Sequence, residues 1–199
     1  MTGREGLRRG DVVTGRAGQP RGAVTGRAGG AGPGSATAAA RAVAETVTDP
    51  ELPMLTLADL GVLREVSESG GTVTVSVTPT YTGCPAMGAM RDDLVHALHL
   101  AGFPDVEVRT VLQPAWSTDW ISAAGRRKLT QAGIAPPRGA PQPVTGPIPL
   151  TLGPPPDPVR CPRCGSAQTR LVSYFSATAC RSLHRCGACQ EPFEHVKEI

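Results

Sequence analysis

Polar and apolar residues alternate most cleanly at Thr72–Thr78, TVTVSVT, where every second side chain is a valine. A period of two places those valines on one face of a β-strand. Val62 to Ser67 reads as a second strand, and the intervening Ser69-Gly70-Gly71 supplies turn chemistry, so the pair is expected to form a hairpin. From Pro85 to about Ala101 the period lengthens: Met87, Met90, Leu94, Leu98 and Ala101 fall on one helical face, with Arg91, Asp92 and Asp93 elsewhere. Asp105 to Leu112 reads as a third strand. An Ala-rich helix is expected to start from a cap at Ser35 or Thr37 and to end near Val47, before Asp49-Pro50. A last short helix is expected from a Ser122 cap to about Ala132-Gly133. Strands and helices in this order predict an α+β fold, a small three-stranded sheet with helices packed on one face.

The periodic region, residues 35–134, is flanked by two segments of different character. Residues 1–34 are rich in Gly and Arg, contain VTGRAG twice (Val13–Gly18 and Val24–Gly29), and have too little apolar area to offset the entropy of ordering, so they are expected to be a disordered tail. Residues 135–158 hold ten of the chain's twenty prolines, which predicts a semi-rigid extended linker. The remaining stretch, 159–199, carries CPRCG and CGACQ: Cys161 and Cys164, then Cys186 and Cys189, with 21 residues between the pairs. A Cys-x-x-Cys turn presents two thiolates from one tight loop, and two such loops at the ends of a β-hairpin complete a tetrahedral zinc shell. The tail is too short to bury a sufficient core alone, so a structural Zn2+ would supply much of its folding free energy. Such a zinc ribbon is expected to fold as an independent unit with no open coordination position, which suits scaffolding or docking better than catalysis. Iron also accepts four thiolates, and the spacing does not choose between the metals.

Charge narrows the partners. Residues 1–34 carry six Arg against two acids, 35–158 eight basic against twelve acidic residues, and 159–199 six against three, giving +4, −4 and +3. An acidic centre would repel phosphate, so nucleic acid is disfavoured as a partner. No window approaches the length of apolar sequence needed to cross a bilayer, and Arg8-Arg9 lacks a following apolar region, so the chain is expected in the cytoplasm, where thiols stay reduced and favour metal over disulfide.

Cys84 in TPTYTGCPAMGAM is the most suggestive solitary thiol. With Pro85 read as the first helical residue, the helix dipole is expected to lower its pKa and suit it to act as a nucleophile, redox thiol or soft-metal ligand; a buried apolar role is equally open. One thiolate does not hold an iron–sulfur cluster alone, so Cys84 would share one with a partner, a second copy in a homodimer, or nearby groups. Asp49 and Glu51 are candidate carboxylates, against the alternative of cap and turn chemistry. Cys180, six residues before Cys186, is either a spare thiol on the same strand face or a filler, with filler the simpler expectation. His184 and His195 are surplus to a four-sulfur shell, and His96 and His99 lack i, i+4 spacing. Trp116 and Trp120 read as a lid on the small core or as a docking anchor. No phosphate-binding Gly-rich loop or nucleophile elbow is present.

DPELPMLTLADLGVLREV, TPTYTGCPAMGAM and VLQPAWSTDWISAAGRRKLTQAGIAPP resemble the metal–sulfur cluster biosynthesis domain of iron–sulfur carrier and assembly factors. Joined to CPRCGSAQT, SATACRSLHRCGAC and EPFEHVKEI, they resemble the D-protein family of the bacterial phenylacetyl-CoA ring-epoxidase system, over roughly residues 36–199 apart from the linker. The resemblance implies an accessory protein of aerobic phenylacetate breakdown, not itself an enzyme, that assists assembly or insertion of the iron–sulfur cluster of the epoxidase reductase. It implies the reductase and oxygenase subunits and iron–sulfur assembly proteins as partners, and transient iron or cluster as cargo. By resemblance the acidic motif falls on Asp49, Pro50 and Glu51, the functional cysteine on Cys84, the ribbon ligands on Cys161, Cys164, Cys186 and Cys189, and the family's intervening cysteine on Cys180. A structural zinc-ribbon subunit of the epoxidase or a nucleic-acid-binding ribbon are the competing classes.

Overall fold

A computed structural model describes residues 33–139, except 82, and 159–198. The Gly/Arg-rich start and most of the Pro-rich linker lie outside the described residues. The first unit contains α1 (Pro33–Ala44), β1 (Leu63–Ser69), β2 (Thr72–Val77), α2 (Met87–Leu100), β3 (Asp105–Thr110) and α3 (Ala123–Gln131). β1 and β2 form the expected antiparallel hairpin through Gly70 and Gly71, both at positive φ, and β3 joins β2 in parallel. Parallel pairing requires a crossover, which α2 provides. The alternation in β2 buries Val73, Val75 and Val77 while Thr72, Thr74 and Ser76 stay half-buried. Against those valines α2 buries Met90, Leu94 and Leu98, and α1 contributes Ala40 and Ala44. Complete burial of a leucine such as Leu94 stabilises the fold by about 2 kcal/mol. The α+β class and the helices on one sheet face are therefore as read.

The helix α2 starts later than its period suggests: Ala86 is its cap, so Pro85 stands one residue outside it. Between α1 and β1 the chain turns tightly. Thr48 bridges to Thr56, and the Asp49 amide donates to the Leu55 carbonyl at 2.9 Å. Gly61 follows with φ of 70°, and a Cβ there would lie 2.6 Å from Trp120 Cβ and 2.7 Å from Trp120 O. Only glycine fits both the left-handed backbone and that approach. The neighbouring Leu60 carbonyl accepts the Trp116 indole N–H at 2.9 Å, which pins the 113–121 segment across the core. Asp59 fixes α3 in the same region, accepting from Lys128 Nζ at 2.6 Å and from Ser122 Oγ at 3.0 Å, while Ser122 caps the helix through the Gly125 amide as expected.

The second sheet has the order β4-β7-β6-β5, where β4 is Ile134–Ala135, β5 Thr169–Ser173, β6 Arg181–Cys186 and β7 Pro192–Val196. Strands β5, β6 and β7 are the antiparallel ribbon, and β4 adds to β7 in parallel, pairing Ile134 with Glu194 and Ala135 with His195. A ribbon standing as an independent unit is thus not what forms. Residues that directly follow α3 complete its sheet, Ala135 packs with Cys161, Cys186 and Phe193, and Val196 packs into the first unit's core. Among the described residues no helix is long and apolar enough to cross a membrane.

Candidate functional site

Among the described residues the ribbon thiols are the group of potential metal ligands drawn most closely together. Gly165, at φ of 73°, lets the first knuckle close with its amide on the Cys161 carbonyl at 2.9 Å, and the Cys186 amide closes the second on Glu191 O at 3.0 Å. The four sulfurs of Cys161, Cys164, Cys186 and Cys189 lie within 4.8 Å of one another. A tetrahedral ion with metal–sulfur bonds of about 2.3 Å needs sulfurs about 3.8 Å apart. Cys161 and Cys189 are 3.8 Å apart and Cys164 and Cys186 3.5 Å, so the donor set fits a divalent ion with four thiolates. The electrostatics point the same way. The Cys189 amide and its neighbours pull the Cys186 thiol down to about 6. At Cys189 the Glu191 amide favours the thiolate, but burial and the sulfurs of Cys186, Cys164 and Cys161 prevail and push it up to about 12. One divalent ion between the sulfurs would favour the thiolate at Cys186 and Cys189 alike and remove the opposition between them.

A second, looser constellation lies where the two units meet. Asp49, Glu51, Cys84 and Cys180 all line one small cavity of about 30 Å³, together with Trp116 and Lys197. The DPEL turn positions the acids: Asp49 Oδ1 accepts from the amides of Glu51 at 2.8 Å and Leu52 at 2.7 Å. Asp49 is therefore a buried turn cap, as the cap reading had it, and it also faces the cavity. Cys84 enters from the loop before α2 and remains partly exposed. Cys180 enters from the ribbon, just before β6 and not on the strand, its carbonyl accepting the Lys197 amide at 3.0 Å. Its sulfur is 4.0 Å from Glu51 Oε2. It faces the acidic motif across the unit boundary.

The expectation of a thiol activated by the helix end is overturned. Burial pushes the Cys84 pKa above the ordinary thiol value; the Ala86 amide at the helix start pulls down, and the charges of Glu51, Asp49 and Cys180 push further up. The helix terminus does act on the sulfur, but desolvation and carboxylates outweigh it. Burial likewise raises Glu51, with Asp49 adding and Arg181 opposing, and raises Asp49 against the Leu52 and Glu51 amides and Arg181. Cys180 is raised by burial, partly offset by its hydrogen bond with Thr178. Tyr81 was not singled out by sequence; its phenol is raised by burial and by the charges of Cys84, Glu51 and Cys180, so it sits against the same cluster. Its position three residues before Cys84 was the available signal.

The other candidates are placed elsewhere. His184 and His195 pack edge to face with ring centroids 5.5 Å apart, bracketed by Ser182, and neither belongs to the four-sulfur cluster. Burial lowers the His195 pKa to about 4. His96 is exposed and His99 half-buried on α2. Trp116 is buried and lines the cavity, in keeping with a lid, and Trp120 packs against the core, half-exposed beneath the Arg64 guanidinium at 3.6 Å.

Comparison with known proteins matches the two units separately. Residues 37–111 match the model of an iron–sulfur cluster assembly protein, and residues 147–197 match the PaaD zinc beta ribbon domain. The chain is 41% identical over 158 residues, 79% of its length and 90% of the relative, to an Escherichia coli protein described as a subunit of the "Putative 1,2-phenylacetyl-CoA epoxidase". It is 33% identical over 86 residues, 42% of its length and 81% of the relative, to an Fe-S protein maturation auxiliary factor of Porphyromonas gingivalis. The crystal structure of a domain of unknown function, DUF59, from Bacillus anthracis is 27% identical and covers 47% of this chain and 90% of its own, with a TM-score of 0.44.

Proposed function

The chain belongs to the PaaD family of phenylacetyl-CoA epoxidase proteins, an iron–sulfur cluster assembly domain followed by a zinc ribbon, and from that premise we propose that it is an accessory factor that assists cluster assembly or insertion in the epoxidase system, its recipient the reductase component, and that it does not oxidise the substrate. The observation that carries this reading is the separation of two kinds of sulfur: four thiols gathered tightly in the ribbon, and Cys84 apart from them, partly exposed and facing Asp49 and Glu51. The first kind suits a resident Zn2+ that holds the ribbon together. The second suits cargo.

Iron arriving at Cys84 forms a sulfur–iron bond as the thiol gives its proton to solvent, and the carboxylates of Asp49 and Glu51 offer oxygen ligands and offset the ion's charge. A thiol held above its ordinary pKa is a weak ligand near neutral pH, because the proton competes with the metal. Release to a recipient is then reprotonation of Cys84. The cavity holds no more than an ion or a water or two, so a whole cluster would be handled at its mouth. Replacing Cys84 with Ser and measuring cluster content and electron transfer in the co-expressed reductase tests the role: both are expected to fall, and wild-type levels of both would reject it.

A second reading, a structural ribbon subunit of the epoxidase, is favoured by one observation. Leu171, Val172, Tyr174 and Phe175, on and beside the edge strand β5, are exposed. Stoichiometric co-purification with the oxygenase subunits, with reductase clusters intact when the protein is deleted, is the outcome this reading expects.

A further inference from the structure

We propose that the cargo site is shared between the two units: Cys180 of the ribbon is its second thiol, lining the same cavity as Cys84 and Glu51, so that iron(II) entering the site bridges the ribbon and the assembly unit. The proposal rests on the preceding reading of Cys84 and deepens it. Three features carry it. Cys84, Glu51 and Cys180 line one cavity although they come from three segments of the chain, and Cys180 Sγ approaches Glu51 Oε2 to 4.0 Å. The placement of Cys180 is built, not incidental. Its carbonyl takes the Lys197 amide at 3.0 Å, its sulfur lies 3.1 Å from Thr178 Oγ1, and β7, which ends at Val196, is itself anchored to the first unit by β4 and by the burial of Val196 in that unit's core. The donor chemistry is the third feature: two sulfurs with carboxylate oxygens make a mixed soft and hard set that accommodates iron(II), whereas a purely oxygen site would suit Mg2+ or Ca2+.

The spacing also separates this site from the ribbon knuckles. Among the described residues the four ribbon sulfurs are the group drawn within 4.8 Å; the cavity donors converge less closely. A closed set retains its ion, while a spread set holds one less firmly and gives it up more readily. On binding, each thiol exchanges its S–H bond for an S–Fe bond and a proton leaves to solvent, with no change of oxidation state.

The zinc-loaded full chain is titrated anaerobically with cobalt(II), a spectroscopic stand-in whose thiolate charge-transfer absorption reports sulfur ligands, while zinc content confirms that the ribbon stays folded. Cys180→Ser is expected to weaken cobalt binding about tenfold or more and to lower the charge-transfer intensity per bound ion; Cys84→Ser is expected to abolish both. Wild-type binding and absorption in Cys180→Ser, with loss in Cys84→Ser, would overturn the shared site and leave Cys84 as the carrier thiol. Unchanged binding in both variants would overturn the carrier reading as well. A readout on the unaltered chain guards against misfolding: bound cobalt should protect Cys84 and Cys180 together from alkylation, and protection of Cys84 alone contradicts the proposal.

Discussion

Replacing Gly61 with Ala perturbs the packing beside the cavity that Cys84 lines while touching none of its thiols or carboxylates. The structure assigns two costs. Residue 61 has φ of 70°, a left-handed conformation that costs a residue with a Cβ about 1–2 kcal/mol. The new methyl would also stand 2.6 Å from Trp120 Cβ and 2.7 Å from its carbonyl oxygen, and backbone there does not yield as the end of a flexible side chain would. Overpacking of this kind costs about 1–3 kcal/mol. Together the variant should lose about 2–5 kcal/mol. Denaturant unfolding of the zinc-loaded protein, followed by tryptophan fluorescence, reads this as a lower midpoint at unchanged slope. A second consequence follows from Leu60, whose carbonyl holds Trp116 over the cavity. Displacing the 113–121 segment should loosen that lid and speed alkylation of Cys84. A loss below about 0.5 kcal/mol, the range of an inert surface change, with Cys84 reactivity unaltered, would refute the reasoning about both the contact and the lid.

Further outcomes follow from the charges and the metal site. The pH profile of Cys84 alkylation should lie above that of an ordinary thiol, because burial and then the nearby carboxylates disfavour the thiolate, and Glu51→Gln should shift it to lower pH; no shift would remove Glu51 from the sulfur's surroundings. Cys161→Ser should abolish metal binding at the four-sulfur site and melt the ribbon, a loss on the order of 10 kcal/mol of metal-binding free energy, while circular dichroism retains α1 and α2, whose core lies in the first unit; loss of all helical signal would contradict that partition. His195, buried and held neutral with its pKa lowered to about 4, favours the folded state only when uncharged, so stability should decline as pH falls from about 6.5 toward 4 and flatten below. In His195→Gln that part of the decline should vanish, as pH-dependent denaturation curves would show.

How far the sequence disclosed this molecule depended on the range of the cause. The TVTVSVT alternation and the Met90, Leu94 and Leu98 spacing are local patterns, and they specified β2 and the buried face of α2 directly. The two Cys-x-x-Cys turns are local too, and their pairing needed only a hairpin. The strand β4 was illegible because two residues show no period; its partner is β7, some sixty residues later. The approach of Cys180 to Glu51 was illegible for the same reason, since they lie 129 residues apart and only the docking of ribbon on assembly unit brings them together. The sign of the Cys84 shift was not legible in sequence: the helix dipole is visible in a Cys-Pro junction, whereas burial and the approach of Glu51 and Asp49 belong to the tertiary fold.

One division of labour underlies the proposed role, a resident ion in the ribbon and passing iron at Cys84. Loading the protein anaerobically with iron(II) and zinc(II), challenging it with a chelator and counting both metals over time tests it most directly. The expected result is slow loss of the ribbon ion and rapid loss of a second, which Cys84→Ser never acquires. Both metals leaving at one rate, or equal iron retention by Cys84→Ser, would contradict it.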